Sequence, residues 1–517
     1  MKKIVLLILL FAVSFAHAQK ISVKKSQLFK DKKKHTELVF SEEDGEGGVI
    51  TLRKYYAGFI RTPKGYYIEH FDSNLKLLSE TEVDIDKSFI DGLLVKDGKI
   101  HLFEKKMGKE SFAVNVLTSD LGKLDFTSSE LFSLDKEEIK RYFGVVIGLF
   151  FINNGVSQMD GDMMGQLTFS KNKKYMAFNF DIKDKKNEVH RIFVYDDNFN
   201  QVFQREFKRD IKDKYFDYED VSVDDEDGSV YFLGKVFEGE SRKRKKKGKA
   251  NYHYELFKLN EEGQKQVSFN TQDHFVSSLT SLKSGEHLSC VGFYSDRNDN
   301  RYKGIVRYDI DPTNLTVSKS SFQPFTEQFI IDKYGKKKEK ELRSLRYRGL
   351  FMLEGSGDII FNAEEFFITT HYNMNTGHTY TYYHYNDIIS ARINADGKLL
   401  WARNINKKQT ASNPLFNSES YTSTVVGDKV YVFLNGSSKV KKIKNDRIQF
   451  KDASAKKYNL YVIEIGMDGN FEYRIVQTNK QLDVPLYVSD GILINNGTEV
   501  IFLGRRKKEK QLLKLSL

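Results

Sequence analysis

The sequence predicts an all-β fold, a β-propeller of four-stranded antiparallel blades. Two observations carry the prediction. Short turns rich in Asp, Asn and Gly recur in two interleaved series, each joining strands of alternating polarity. The composition also suits sheets, with 28 Tyr and 40 Phe against 5 Pro. Aromatic side chains fit a pleated, half-buried surface, whereas proline interrupts its hydrogen-bond ladder.

Residues 1–18 read as a processing signal. Lys2 and Lys3 give a positive start, 4–15 is apolar, and Ala16-His17-Ala18 is a small-x-small cleavage pattern. The mature chain is expected to begin near Gln19 and to be exported, periplasmic or secreted. No Cys follows the cleavage point, so a lipoprotein anchor is not expected. A spanning helix needs about 18 apolar residues. The longest later candidate, "YFGVVIGLFFI" (142–152), is shorter than that. Residues 19–517 are expected to form one propeller domain. Cys290 is the only cysteine and cannot make an internal disulfide, so stability rests on a large core.

The repeats set the blade plan. One series of turns includes "EHFDSNLKLL" (69–78), "FVYDDNFNQVF" (193–203), "VRYDIDPTNLTV" (306–317) and "VIEIGMDGNFEY" (462–473). A second series lies one hairpin earlier and includes "LVKDGKIHLF" (94–103), "VDDEDGSVYFL" (223–233) and "VVGDKVYVFL" (425–434). Each unit is therefore strand A, short turn, strand B, variable loop, strand C, short turn, strand D. Such units are propeller blades. Seven fit between Glu37 and Gln477. An eighth takes its A, B and C strands from 484–517, and "ISVKKSQLF" (21–29) supplies the fourth, closing the ring between the termini. Eight blades are expected, with seven as the alternative. A short helical insert is expected near 133–143, where "SLDKEEIKRYF" has an acidic first turn.

A meander puts A–B and C–D turns on one face and B–C and D–A loops on the other. The long loops, at 133–165, 236–252, 322–346, 366–386, 404–420 and 436–457, all share the second face. Variable loops on a rigid scaffold usually carry function, so this is the expected working face. The chain has 82 Lys+Arg against 71 Asp+Glu, a net charge of +11. Several basic runs fall on the long-loop face. They include "RKRKKKGK" (242–249), with Arg242, Lys243, Arg244 and Lys245, and "RRKKEK" (505–510), with Arg505 and Arg506. Such a face attracts acidic polymers through its long-range field. Solvated loops are the simpler explanation. Nucleic acid is not expected, because the chain is exported and the runs lack regular aromatic interleaving.

The stretch "TTHYNMNTGHTYTYYHYND" (369–387) draws attention to His371, His378 and His384. As an extended strand it separates His378 from His384 by roughly 20 Å. That is too far for one shared metal, and no metal is expected here. Its flanks are more promising: Glu364 and Glu365 on one side, and Tyr385, Asn386 and Asp387 on the other. Paired carboxylates can do acid–base work on glycosides, or simply accept hydrogen bonds from loop amides. "DRNDNR" (296–301) fails as a calcium loop, since Arg301 and Arg307 stand where Gly and Glu are required. There is no G-x-S-x-G elbow and no P-loop, and no cofactor is expected.

Several segments have a familiar pattern: "MGQLTFSKNKKYMAFNF", "IFVYDDNFNQVFQREF", "FDYEDVSVDDEDGSVYFLGKVF" and "YNDIISARINADGKLLWARNINKKQ" with the "GDKVYVFLN" that follows. Together they resemble an uncharacterised family of exported bacterial β-propeller-like proteins, best over 165–435. The resemblance implies that Glu364 or Glu365 matches an acidic position after strand B. It also implies that Tyr385, Asn386 and Asp387 match a recurrent Tyr-Asn-Asp entering strand C. It supports the architecture and supplies no activity.

Two readings follow. The first is a non-catalytic binding or assembly module whose partner is a protein or acidic polymer of the cell envelope. The second is a propeller enzyme acting on polysaccharide through Glu364, Glu365 and Asp387. Fold alone does not choose between them.

Overall fold

A computed structural model of the chain describes residues 21–33, 35–58, 62–85, 88–140, 165–297, 302–337, 342, 344–374, 378–412, 418–445 and 447–517. The expected signal at 1–18, the apolar stretch 142–152 and most of "DRNDNR" lie outside the described residues.

The fold is an all-β propeller. Seven four-stranded antiparallel blades follow one another along the chain from His35 to Gln477. Blade 1 spans 35–84, blade 2 88–135, blade 3 166–209, blade 4 216–269, blade 5 275–324, blade 6 345–405 and blade 7 421–477. One more sheet draws on both ends of the chain. Ser22–Lys25 pairs antiparallel with Glu509–Ser516, which continues through Glu499–Arg506 to Ile492–Ile494. The structure has seven blades, the alternative count rather than the expected eight; the segments expected to form an eighth blade, 484–517 and 21–29, contribute this composite sheet instead.

The core lies between the sheets. Each neighbouring pair buries its own apolar cluster, as blade 4 does against blade 5 with Tyr231, Leu233, Tyr254, Val276, Leu288 and Cys290. The composite sheet packs the same way on both sides, Phe502 and Leu513 against Phe433 of blade 7, and Leu503 and Leu512 against Val49 and Phe71 of blade 1. Burying large side chains such as these contributes on the order of 1.5–3 kcal/mol each before entropy is counted. Innermost strands run close together, and at Gly349 a Cβ would meet Ser423 Oγ at 2.5 Å and Phe351 Cε2 at 2.9 Å, so a larger residue there would force these side chains to move.

The short turns are built by aspartate. Asp196 Oδ1 accepts from the Asn198 and Asn200 amides at 2.9 and 2.8 Å, and Asp72 Oδ1 accepts from the Asn74 and Lys76 amides at 2.9 Å each. These bonds replace ladder hydrogen bonds where the chain reverses. They let Leu75 and Phe199 take positive φ values of 60° and 66°.

Two helical features differ from expectation. No helix occupies the described part of 133–143. Thr127–Asp135 is instead the outer strand of blade 2, paired with Ser111–Asp120, and Ile139 makes a bridge to Ile182. A helix does form at Glu327–Tyr334, in the connection from blade 5 to blade 6. Thr326 caps it by accepting from the Phe329 amide, and Gly335 ends it at φ 70°. Among the described residues no helix is long and apolar enough to cross a membrane.

Candidate functional site at the foot of the blade 6 hairpin

The histidine-tyrosine run forms the expected long hairpin. Ile359–Asn373 pairs with His378–Ile393, far beyond the length of the other blade strands. Its base is widened by neighbouring loops on the same face. Lys407–Ala411 pairs with Tyr383, His384 and Tyr385, and Ile448–Lys451, from the B–C loop of blade 7, adds on in parallel.

Three carboxylates converge at this base, each with a lysine. Glu364 and Lys407 are fully buried and 2.7 Å apart. Ser420 Oγ donates to the other Glu364 oxygen at 2.7 Å, while Lys407 Nζ also donates to Tyr385 O (3.0 Å) and Gln409 Oε1 (2.8 Å). Burial pushes the Lys407 ammonium below the ordinary lysine range, with Glu364 pulling the other way. Glu365 and Asp387 share Lys333 of the helix, at 3.4 and 2.8 Å. Burial alone works to lower the Lys333 pKa, but Asp387 and Glu365 outweigh it and hold that ammonium above its usual range. Burial, with Asp387 as a nearby like charge, raises the Glu365 carboxyl. Asp387 also accepts from the Lys407 amide (3.0 Å) and Asn404 Nδ2 (3.1 Å).

The remaining sequence candidates divide by depth. Tyr385 is buried, and Asn386 Oδ1 is buried without a hydrogen-bond partner. His384 is half-buried, stacked on Phe367 at 4.5 Å between centroids. Its ring nitrogens meet Thr369 Oγ1 (2.8 Å) and Thr410 Oγ1 (3.2 Å). His378 is exposed near the hairpin tip. Large apolar side chains are exposed along the hairpin: Ile368, opposite Tyr383, is 51% accessible, and Tyr372, Met374 and Tyr380 toward the tip are 66%, 88% and 44% accessible.

Lys333, Lys407 and Gln409 were not among the sequence candidates. The segment "NINKKQ" (404–409) shows the last two only as part of a basic loop, since their partners lie far away in the chain.

The basic candidates are spread rather than joined. Arg242 is ion-paired with Asp217 and lies over the Phe237 ring at 5.2 Å. Lys243, Arg244 and Lys245 are exposed. Lys245 Nζ donates to Arg297 O at 3.1 Å, and Lys245–Lys246 pairs with Lys249–Ala250 in a small ribbon. Arg505 donates to Thr36 O at 3.4 Å and Arg506 pairs with Glu509 at 2.9 Å. Among the described residues, the set of His, Asp and Glu with donor atoms close enough for a cation lies elsewhere: Asp181, Glu188 and His190 of blade 3.

No protein-family model and no curated protein matches the chain. Among solved structures it is similar to the β-propeller domain of the Trilobed protease from Pyrococcus furiosus, at 10% identity over 88% of this chain and 99% of that one, TM-score 0.37. It is also similar to polysaccharide lyase Uly1, at 10% identity over 82% and 89% of the two chains, TM-score 0.35. A third is a Synechocystis apocarotenoid oxygenase, at 7% identity over 78% and 98%, TM-score 0.31. Likenesses of this degree carry no argument about activity.

Proposed function

We propose that the chain is an exported, non-catalytic propeller that binds or assembles with a partner through its long-loop face, with the blade 6 hairpin as the contacting arm. The observation that carries this is the contrast between the foot and the tip of the hairpin. At the foot, Glu364, Glu365 and Asp387 are each held by a buried lysine, an arrangement suited to fixing the arm. At the tip, Tyr372 and Met374 are 66% and 88% exposed. Exposed aromatic and Met side chains are favoured at protein contacts, so a protein of the cell envelope is the preferred partner. An acidic polymer drawn to the exposed Lys243, Arg244 and Lys245 is the other partner class.

The polysaccharide-enzyme reading requires a carboxylate free to exchange protons with substrate, and the lysine partners of all three carboxylates argue for a structural role instead. The test compares wild type with a Tyr372→Ser/Met374→Ser variant in capture from envelope extract. Loss of a specific band in the variant supports the arm. Identical capture by both counts against it, and turnover of an envelope polysaccharide by wild type that is lost in Glu365→Gln favours the enzyme.

A further inference from the structure

Blade 3 carries a cluster that this reading does not use. The segment "NFDIKDKKNEVH" (179–190) supplies the end of one strand, Tyr175–Asp181, and the start of the next, Glu188–Asp196. His190 lies directly across the ladder from Asp181. Glu188, two residues before His190, projects to the same face of the strand. One imidazole nitrogen and two carboxylates thereby bring ligand atoms within 4.8 Å of one another. Paired strands fix these positions more firmly than a loop can.

Two further observations set the cluster apart from an acidic surface patch. The side chains of Glu188 and His190 are each 4% exposed, and Glu188 Oε2 has no hydrogen-bond partner. A buried oxygen left in this way costs about 1–3 kcal/mol, more if charged. The imidazole is also oriented. Asn179 Oδ1 lies 3.0 Å from His190 Nδ1, and an amide oxygen only accepts, so Nδ1 carries the proton. Nε2 then turns its lone pair toward Glu188 Oε1, 2.9 Å away. Two acceptors facing one another at that distance need a proton or a cation between them. Fixing one ring nitrogen by an outer hydrogen bond while the other faces the centre is the arrangement typical of metal-bound imidazoles.

We propose that Asp181, Glu188 and His190 bind one divalent first-row cation of the Zn2+ or Mn2+ class. One imidazole with carboxylates suits such cations; calcium prefers about 6–8 oxygen ligands. Lys140 is the competing charge. Its ammonium lies 3.0 Å from Asp181 and also pairs with Asp213, from the connection to blade 4. A bound cation takes over that role at Asp181 and also neutralises Glu188 Oε2.

The experiment is calorimetric titration of the metal-stripped full chain with ZnCl2 and, separately, MnCl2, alongside metal content by mass spectrometry. One saturable cation per chain is expected for at least one of the two metals. Glu188→Gln should abolish that binding, and Asn179→Ala should weaken it about 10–100-fold. Lys140→Gln removes the competitor without touching a proposed ligand and should tighten it. Melting each variant without metal separates lost binding from lost fold, and Lys140→Gln keeps the test decisive should Glu188→Gln not fold. Absence of saturable binding to wild type overturns the site. So does binding that Glu188→Gln and Lys140→Gln leave unchanged, or that Lys140→Gln weakens.

Discussion

Lys407 Nζ lies 2.7 Å from Glu364 Oε1, and neither side chain retains any exposure to solvent (0% each). The pair joins the second strand of blade 6 to the connection leading into blade 7. It lies at the root of the hairpin. Removing one partner strands the other charge in the interior, which typically costs 3–5 kcal/mol. Lys407→Met should therefore lower unfolding stability by about 3–5 kcal/mol, and Glu364→Gln by a comparable amount. The double substitution should cost clearly less than the sum of the two. Denaturant titration of all four proteins checks this; additive losses would show that the pair is not coupled.

A pH dependence follows from Glu419, close to the same cluster. Burial, with the Asp452 carboxylate adding to it, pushes the Glu419 carboxyl up from 4.5 to about 7. Between those two values the folded chain keeps a proton that the unfolded chain has released. The contribution is therefore fully present below about pH 4.5 and is lost as pH rises through 7. Melting temperatures across pH 5 to pH 8 should fall more steeply for wild type than for Glu419→Gln. Parallel profiles would remove Glu419 as the cause.

How much of this was legible in the sequence depends on the range of the contacts. The short turns were legible because Asp72 and Asp196 bond amides two and four residues on, so their whole chemistry fits in one short string. The helix at Glu327–Tyr334 had local signals as well, Thr326 before it and Gly335 after it, but it is short and lies within a long loop. The helix expected near 133–143 failed for the opposite reason. Ser133 and Asp135 pair across to Ala113 and Ser111, and that tertiary ladder overrides the local acidic start. Lys333 and Lys407 were missed because their carboxylate partners are 54 and 43 residues away. The chelate-like group in blade 3 lies between these cases: N-x-D and E-x-H flank one turn, but only the register of the two strands puts His190 opposite Asp181.

The meeting of the chain ends has its own ion network. The guanidinium of Arg53, on blade 1, lies 2.8 Å from Asp31, which also lies 3.2 Å from Lys510 of the composite sheet. Arg53 Nε donates to Glu69 at 2.7 Å, and Arg53 and Lys510 are buried. Asp31→Asn leaves Arg53 with Glu69 alone and takes the paired carboxylate from Lys510, and should cost about 3 kcal/mol or more. Asp31→Asn with Lys510→Met should recover part of it. Denaturant unfolding checks this, and a loss under about 0.5 kcal/mol, the range of ordinary surface substitutions, would show that the network does not hold the ends.

At the hairpin tip stability and binding should separate. Tyr372 and Met374 are exposed, so Tyr372→Ser/Met374→Ser should change unfolding stability by no more than about 0.5 kcal/mol while reducing partner capture severalfold. A large drop in melting temperature would instead mean that these side chains pack within the chain.

Site-specific photocrosslinking in envelope extract tests the binding role most directly. A photoreactive residue replaces Tyr372 on the long-loop face or, in a second protein, the exposed Glu262 in a C–D turn on the opposite face. The expected result is a discrete crosslinked partner from position 372 and none from position 262. Crosslinking from position 262 alone, or from neither position, would contradict a binding module that works through its long-loop face.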